Sequence, residues 1–263
     1  MRRASYATPD PSLKKPFVKF AMIDSHAHLN EIEAVDEALA RAQEAGITGI
    51  VAVGMDIASN RATLELHRRF PHLVYPAMGY HPWSITPEGI EENLAFIREH
   101  LAGCIALGEV GLDYQAKVKK KVQQEVLAQL LEITAGENKP VILHTRFSQP
   151  RAHRMVKEAG IVRAVFHWYS GPLDVLQEIL ADGYFISATP ALAYSPPHQA
   201  AIQAAPLGRI LIETDSPVVY QEKKSEPAHL VITARELSRV KGIELSQVIE
   251  TTTANAKTFF LLW

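Results

Sequence analysis

Two histidines near the start of the chain have the spacing of a metal chelate. His26 and His28 follow directly on a short apolar run that includes Met22 and Ile23. Because side chains alternate across a strand, both imidazoles are expected to point to the same side and to bind one ion together. A His-x-His pair alone is a weak indication, since many such histidines are ordinary core or surface residues. The pair therefore gains weight only if further ligands join it.

Other residues of metal-ligating type come just past later apolar runs. They are His81, Glu109, His144, His167 and Asp215. Five of the eleven histidines thus follow apolar runs, whereas the other six fall in predicted helices or loops. For any single member, a structural histidine or a capping aspartate is the ordinary explanation. Their recurrence at the same kind of place predicts a metal centre.

Eight short apolar or β-branched runs alternate with stretches of helical spacing, which is typical of an α/β protein with a parallel sheet. The predicted strands are 20–24, 48–53, 73–78, 104–108, 140–144, 163–167, 184–187 and 210–213. Predicted helices include 33–46, 59–70 with Ser59 as its cap, 118–138, 172–183, 228–241 and 244–260. Eight strands in this length predict a single-domain (β/α)8 TIM barrel, with an open doubly wound sheet as the alternative. In a barrel, the candidate ligands share one rim.

Composition excludes several classes of protein. The chain has 263 residues, of which 47% are hydrophobic and 21% charged, so disordered, collagen-like and coiled-coil chains are excluded. No apolar stretch reaches the roughly 18 residues of a membrane span, and the start lacks the apolar core of a signal peptide. We therefore expect a cytoplasmic protein without membrane association. The single cysteine, Cys104, is expected to be a buried core residue, which argues against a thiol enzyme.

Charge is unevenly distributed along the chain. The formal net charge is −2, but residues 1–21 carry five basic side chains against one acidic side chain, which leaves −6 for the remainder. We predict a flexible basic extension over 1–21 and a folded domain over 22–263. An acidic domain cannot bind nucleic acid through a broad basic surface, so contact is expected only with DNA ends or short single strands. We see no sign of an obligate protein partner and expect a monomer.

The donor set also restricts the metal. Four neutral histidines and two carboxylates offer a charge of −2 to two divalent cations, and the remaining positive charge attracts an anion. A metal-held hydroxide would still leave enough charge to bind a phosphodiester. Mixed nitrogen and oxygen ligands suit zinc, manganese, iron or cobalt, admit magnesium at low affinity and suit calcium poorly.

Six segments together resemble the TatD-type metal-dependent deoxyribonucleases, which belong to the amidohydrolase superfamily of barrels. The segments are residues 24–29, 79–82, 108–114, 140–146, 167–171 and 213–217, in the family's order. The resemblance runs from about residue 22 to the end. It implies that one metal is bound by His26, His28, Glu109 and Asp215, and the other by Glu109, His144 and His167. It also implies phosphodiester hydrolysis, often as a 3′-to-5′ exonuclease.

The sequence departs from the family pattern at the expected substrate site. Lys224-Ser225-Glu226-Pro227 stands where Arg-Asn-x-Pro is usual, and a lysine does not replace the bidentate fork of an arginine. After Tyr114, where aromatic and basic residues are usual, the chain continues with Gln115-Ala116-Lys117. Trp168 stands where a small residue or cysteine is usual. These changes predict a bulkier and differently lined mouth.

Further roles follow from strand position. Asp215 is the expected general base, because it can contact both a metal and the attacking water. Arg146 shares strand parity with His144 and is either a phosphate clamp or part of a structural ion pair. His81 is expected to contact a leaving or non-bridging oxygen. Asp24 and Glu213 are expected to orient the ligands rather than to bind metal.

We therefore expect a metal-dependent hydrolase that acts on ester bonds as a deoxyribonuclease. One alternative is a hydrolase of the same superfamily that acts on a carboxylic ester or cyclic amide. Many of those enzymes use a carbamylated lysine as the bridge, and no lysine stands at the end of the fourth strand here. The other alternative is a non-catalytic metal-binding scaffold, which would have no need of an open metal site.

Overall fold

Eight parallel strands form one sheet in sequence order within residues 21–262, the part of the chain that the computed structural model describes. The strands are β1 (Met22–Ala27), β2 (Ile47–Val53), β3 (Val74–Met78), β4 (Ala106–Asp113), β5 (Val141–Arg146), β6 (Ala164–Phe166), β7 (Phe185–Ala188) and β8 (Ile210–Ile212). This arrangement confirms the predicted α/β barrel and excludes an open doubly wound sheet, whose strand order is not sequential. Apart from residue 21, the predicted basic extension lies outside the described residues.

Nine α-helices surround the strands within residues 21–262. They are α1 (Val35–Glu44), α2 (Ile57–Arg69), α3 (Ile90–His100), α4 (Lys120–Glu137), α5 (Gln149–Glu158), α6 (Leu173–Ala181), α7 (Pro196–Ala204), α8 (Leu230–Lys241) and α9 (Leu245–Phe260). The predicted Ser59 cap of α2 is wrong. Asp56 is the N-cap and accepts a hydrogen bond from the backbone N–H of Ser59, whose hydroxyl accepts from the backbone N–H of Asp56. This reciprocal capping box starts the helix earlier than predicted.

The barrel interior is apolar below the rim. One cluster of buried residues takes at least one side chain from every strand, and Phe259 and Phe260 at the end of α9 pack against it. The ring of Phe259 lies 5.2 Å from that of Phe185, the first residue of β7. Cys104 is buried and its thiol is free, as predicted. Among the described residues, no helix is both long and apolar enough to span a membrane.

The barrel closes between β1 and β8 at the site itself. Ala27 forms a parallel bridge with Ser216. The backbone N–H of His28 donates to the carbonyl of Ser216 at 2.7 Å, and the N–H of Asp215 donates to the carbonyl of His26 at 3.0 Å. Since the backbone bonds that close the sheet belong to candidate ligand residues, closing the barrel also brings these ligands together.

The fourth strand is longer than predicted. It extends to Asp113, which pairs with Arg146 of β5, so Glu109 lies within the strand rather than just after it. The β4–β5 register shifts between Leu107 and Val110, on either side of Glu109. The predicted end at residue 108 is wrong because Glu109 interrupts the apolar run, but residues 110–113 continue the ladder with β5.

Gly79 allows the backbone of β4 to approach the loop after β3. A Cβ atom on Gly79 would lie 2.2 Å from the carbonyl oxygen of Glu109 and 2.4 Å from its nitrogen. The buried Asn60 fixes the other side of Gly79, because its amide group exchanges two hydrogen bonds with the Gly79 backbone, at 2.8 and 3.0 Å. A side chain at residue 79 therefore has no space unless β4 moves.

We expect Gly79→Ala to lower the free energy of unfolding by at least about 1–3 kcal/mol, because relieving the clash requires backbone movement. The measurement is chemical denaturation. Gly136→Ala in α4 is the matched control, because its Cβ would meet no atom within 4 Å. That control is expected to be stabilising by about 0.5–1 kcal/mol, as is usual for alanine over glycine in a helix. Equal effects of the two substitutions would contradict the close packing.

Candidate metal centre

The first group of predicted ligands converges between β1, β4 and the loop after β8. The Nε2 atoms of His26 and His28 lie 3.3 Å apart. Glu109 Oε2 is 3.4 Å from each of these nitrogens, and Asp215 Oδ1 is 3.5 Å from His26 Nε2 and 3.4 Å from His28 Nε2. All four side chains are buried. Two imidazoles and two carboxylates thus point their donor atoms at one small space.

These separations fit the coordination shell of a divalent cation. Five of the six distances among the four atoms are between 3.3 and 3.5 Å. The centre of a regular tetrahedron with edges of that length is about 2.1 Å from each corner, which is the normal distance of zinc from nitrogen and oxygen ligands. The donor set therefore suits the metals expected from the sequence.

The other oxygen of Glu109 faces a second group. Oε1 lies 2.9 Å from His144 Nδ1 and 2.9 Å from His167 Nε2, and these two nitrogens are 3.5 Å apart. His144 is positioned by β5, and His167 follows β6 directly. The two oxygens of Glu109 thus contact two different histidine pairs.

Carboxylates fix the orientation of both histidines in the second group. Glu213 Oε1 is 3.2 Å from His167 Nδ1, and Asp113 Oδ2 is 3.1 Å from His144 Nε2. A carboxylate on one ring nitrogen holds the proton there and leaves the other nitrogen free to bind metal. The contact of Glu213 with His167 is consistent with the expected orienting role, although His26, His167 and Glu213 are also close enough to hold an ion.

Asp24 acts on the backbone rather than on an imidazole. Its carboxylate accepts hydrogen bonds from the backbone N–H of Thr214 at 3.0 Å and from the Thr214 hydroxyl at 2.6 Å. Burial raises the pKa of Asp24 to about 8, although these hydrogen bonds oppose the shift. Asp24 thus holds the segment that carries Asp215, so its influence on the ligands is indirect.

Sequence reasoning gave no role to Asp113 or Trp83. The indole N–H of Trp83 donates to Asp113 Oδ2 at 2.7 Å, the same oxygen that faces His144. Asp113 lies in a segment that carries the family resemblance and is an even number of residues from Glu109, so strand parity could have identified it. No comparable signal existed for Trp83, whose contact depends on the path of the loop after β3.

His81 is better suited to donate a hydrogen bond than to bind metal, although His81, Glu109 and His144 are close enough to hold an ion. Its Nδ1 accepts a hydrogen bond from the backbone N–H of Trp83 at 3.1 Å. In a neutral ring the proton must then be on Nε2, which lies 3.4 Å from Glu109 Oε1. Burial lowers the pKa of His81 to about 4, against the opposing effect of Glu109, so the ring is neutral at pH 7.

The two carboxylates and the histidines compensate one another electrostatically. Burial alone would raise the pKa of Glu109, but His81, His167 and His26 outweigh it and hold that pKa well below its usual value. Burial lowers the pKa of His28, but Asp215 and Glu109 together raise it by more, so that the pKa is about 10. The site thus favours positive charge among the carboxylates, which bound metal ions would supply in place of protons.

Arg146 is exposed at the end of β5. Salt bridges among the described residues do not include it, so the alternative of a structural ion pair finds no support there. Its backbone carbonyl accepts a hydrogen bond from the N–H of Tyr114, and the strand ladder places it beside Asp113. Arg146 therefore lies at the same end of the barrel as the histidine clusters, and its role as a phosphate clamp stays a prediction.

The atypical segment after β8 has local structural partners. Lys224 is exposed in a two-stranded antiparallel hairpin formed by Val219–Tyr220 and Lys223–Lys224. Glu226 makes an ion pair with Arg41 of α1 at 2.6 Å. The Trp168 ring lies 5.4 Å from that of Tyr220 in the same hairpin. These contacts explain how the departures are accommodated but assign them no part in binding.

A parallel α/β barrel with histidine and carboxylate clusters at the carboxyl ends of its strands defines a barrel-type metal-dependent hydrolase. The chain matches the family model described as TatD related DNase over residues 23–261, and it belongs to this family. The predicted family resemblance is thereby confirmed.

The sequence similarity to known relatives covers nearly the whole chain. The human protein named Deoxyribonuclease TATDN3 is 30% identical, over 91% of this chain and 94% of its own length. The Bacillus subtilis protein named uncharacterized metal-dependent hydrolase YabD is 28% identical, over 91% of this chain and 98% of its own. The solved structure of YjjV, a TatD homolog from Escherichia coli, has a TM-score of 0.82 at 24% identity, over 91% of this chain and 98% of that one. This structural likeness supports the fold.

We expect Asp113→Asn to weaken metal binding by about 10- to 100-fold, as is common when an orienting partner of a metal ligand is lost. Asp113 Oδ1 accepts from the N–H of Gln115, and Oδ2 accepts from Trp83, so an amide NH₂ would face a donor in either orientation. The measurement is titration of the metal-free protein with Mn²⁺ or Zn²⁺.

The matched control is Asp182→Asn, because Asp182 contacts His153 and Lys157 on the outer helices, each at 2.8 Å. This variant is expected to bind metal as the unaltered protein does. An Asp113→Asn variant with unchanged affinity would show that Asp113 does not control the orientation of His144.

Proposed function

We propose that the chain hydrolyses phosphodiester bonds of DNA with a binuclear centre of divalent ions, drawn from Zn, Mn, Mg, Fe and Co. One ion would be held by His26, His28, Glu109 and Asp215, and the other by Glu109, His144 and His167. The observation that carries the proposal is that the two oxygens of Glu109 face different histidine pairs. Oε2 lies near His26 and His28, and Oε1 lies near His144 and His167. A bridging carboxylate requires this arrangement.

The expected substrate follows from charge and from family membership. Two carboxylates do not neutralise two divalent ions, so the loaded centre attracts an anion such as a phosphodiester. Membership of the TatD related DNase family, and the human relative named as a deoxyribonuclease, support DNA as the polymer.

Bound divalent ions lower the pKa of water and offset the negative charge on phosphoryl oxygens. Asp215 is the proposed base. Its Oδ1 faces His26 and His28, and although burial opposes ionisation, the hydrogen bond to His28 and the nearby histidines lower its pKa. Asp215 is therefore a carboxylate at neutral pH and can take a proton from the attacking water.

Two other side chains would hold the substrate. His81, with its proton on Nε2, can donate to a leaving or non-bridging oxygen near Glu109. Arg146 can form a bidentate contact with phosphate from the exposed end of β5. In both cases a group of this chain fixes the substrate oxygens while Asp215 receives the proton.

We propose action at chain ends, in the 3′-to-5′ direction. The weakly acidic chain offers little positive surface for an extended duplex. A terminal phosphodiester or a short single strand can reach the rim without the melting of many base pairs. We further propose a cytoplasmic monomer.

The test is a turnover assay on linear single-stranded DNA labelled at either end, on closed circular DNA, and on a carboxylic ester and a cyclic amide. Each reaction is run after metal removal and after addition of Mn²⁺ or Mg²⁺. We expect metal-dependent loss of nucleotides from the 3′ end and little cleavage of the circle. Faster turnover of the ester or amide would support the alternative hydrolase, and no turnover on any substrate would favour a scaffold.

We expect Asp215→Asn to lower kcat by about 100-fold or more while metal content changes less, because an amide can offer an oxygen to the ion but cannot accept the proton. Rates and elemental analysis on the same preparation separate the two effects. Recovery of full activity on addition of excess metal would show that Asp215 acts only as a metal ligand and not as the base.

Arg146→Ala is expected to impair phosphodiester cleavage by about 10-fold or more while leaving any turnover of a neutral ester nearly unchanged, because only the phosphodiester offers a charge to the guanidinium. Arg154→Ala is the matched control, since Arg154 is exposed on α5. Equal losses on both substrates, with a lower melting temperature, would indicate that Arg146 is structural.

A further inference from the structure

Trp83 lies at the mouth of the metal centre with much of its ring in solvent. The side chain is 57% exposed, although it is one of the largest apolar groups in the chain. Its ring meets the imidazole of His81 at a centroid distance of 4.7 Å and that of His144 at 5.7 Å, both nearly perpendicular. An indole is thus placed directly beside two histidines of the site while one part of it stays uncovered.

The orientation of the indole is fixed. Its N–H donates to Asp113 Oδ2 at 2.7 Å, so its single hydrogen-bonding group is satisfied and the ring cannot rotate freely. Within residues 21–262, no arginine or lysine lies over the ring, and its ring contacts are those with His81 and His144. The exposed part of the indole is therefore an apolar surface of fixed orientation, and no group of the described residues is stacked on it.

We propose that Trp83 is a stacking platform for a nucleobase, and that it makes the metal centre favour a base-bearing nucleotide over a sugar phosphate that lacks a base. This inference rests on the proposed function, because the phosphate must be held at the metals for its base to reach the indole. Every base has a π-face, so aromatic stacking is strong but tolerant of sequence. The chemical class recognised is a nucleotide with an unpaired base.

The neighbouring cation supports this placement. Arg146 pairs with Asp113 in the β4–β5 ladder, and Asp113 accepts the hydrogen bond of Trp83. Arg146 thus lies beside this aspartate on the neighbouring strand, and Trp83 contacts its carboxylate. A base on Trp83 and a phosphate between Arg146 and the histidines would belong to one nucleotide unit, which also favours unpaired ends over duplex.

Two substitutions separate stacking from the positioning of Asp113. Trp83→Phe keeps an aromatic face but loses the N–H donor, whereas Trp83→Gln keeps an N–H donor but loses the ring. If Trp83 acts only by holding Asp113, the Gln variant should resemble the unaltered protein more closely than the Phe variant does in its preference for base-bearing ligands. If it stacks on a base, the Phe variant should be nearer in its preference for base-bearing ligands.

The experiment compares the binding of 2′-deoxyadenosine 5′-monophosphate with that of 2-deoxyribose 5-phosphate to the Mn²⁺-loaded protein by calorimetry. Both ligands carry one phosphate, and only the first has a base. We expect the unaltered protein to prefer the nucleotide by about 5- to 100-fold, the range of one base–aromatic stack. Trp83→Phe should keep most of this preference, and Trp83→Gln should reduce it to within about twofold.

A second measurement uses the indole itself and does not depend on the Gln variant. The nucleotide should quench tryptophan fluorescence of the unaltered protein, the sugar phosphate should not, and Trp83→Phe should lose the quench. Equal affinity of the unaltered protein for the two ligands, an undiminished preference in Trp83→Gln, or no binding of either ligand would overturn the proposal. Because binding is measured without turnover, a base preference in a protein that cleaves no DNA would refute the proposed function and leave the stacking role standing.

Discussion

The carboxylate of Glu109 is the group on which the whole site depends. Its two oxygens face different histidine pairs, His26 with His28 and His144 with His167. A buried carboxylate is costly unless positive charge surrounds it, and a buried imidazole pair needs a counter-charge in turn. Each histidine pair therefore depends on the same side chain, so displacement of Glu109 would disturb both halves of the site.

The backbone around Glu109 is held by close packing and by a side-chain clamp on the neighbouring loop. Gly79 packs directly on the backbone of Glu109, and Asn60 fixes Gly79 by hydrogen bonds. The β4–β5 ladder continues past Glu109 to Asp113. On the opposite side, the bonds that close the barrel between β1 and β8 bring Asp215 to the first histidine pair. The candidate metal centre therefore depends on the same backbone bonds that close the barrel.

The sequence allowed the barrel, its strands and the convergence of the candidate ligands to be predicted, because apolar runs mark strands and parallel strands end on one rim. It did not reveal that β4 continues through Glu109, since polar residues inside a strand resemble a loop. Asp113 could have been found by strand parity. Trp83 could not, because its hydrogen bond depends on how a loop folds back over the rim. Capping of α2 by Asp56 was missed because both Asp56 and Ser59 favour helix starts.

The most direct test of the shared carboxylate is the metal content of Glu109→Ala compared with that of His28→Ala, measured by elemental analysis after saturation with Mn²⁺ or Zn²⁺. Thermal melting shows whether each variant is folded. If Glu109 serves both sites, its loss should remove both ions, whereas His28→Ala should lose only the ion of the first group. A folded Glu109→Ala protein that retains as much metal as His28→Ala would contradict the bridging role.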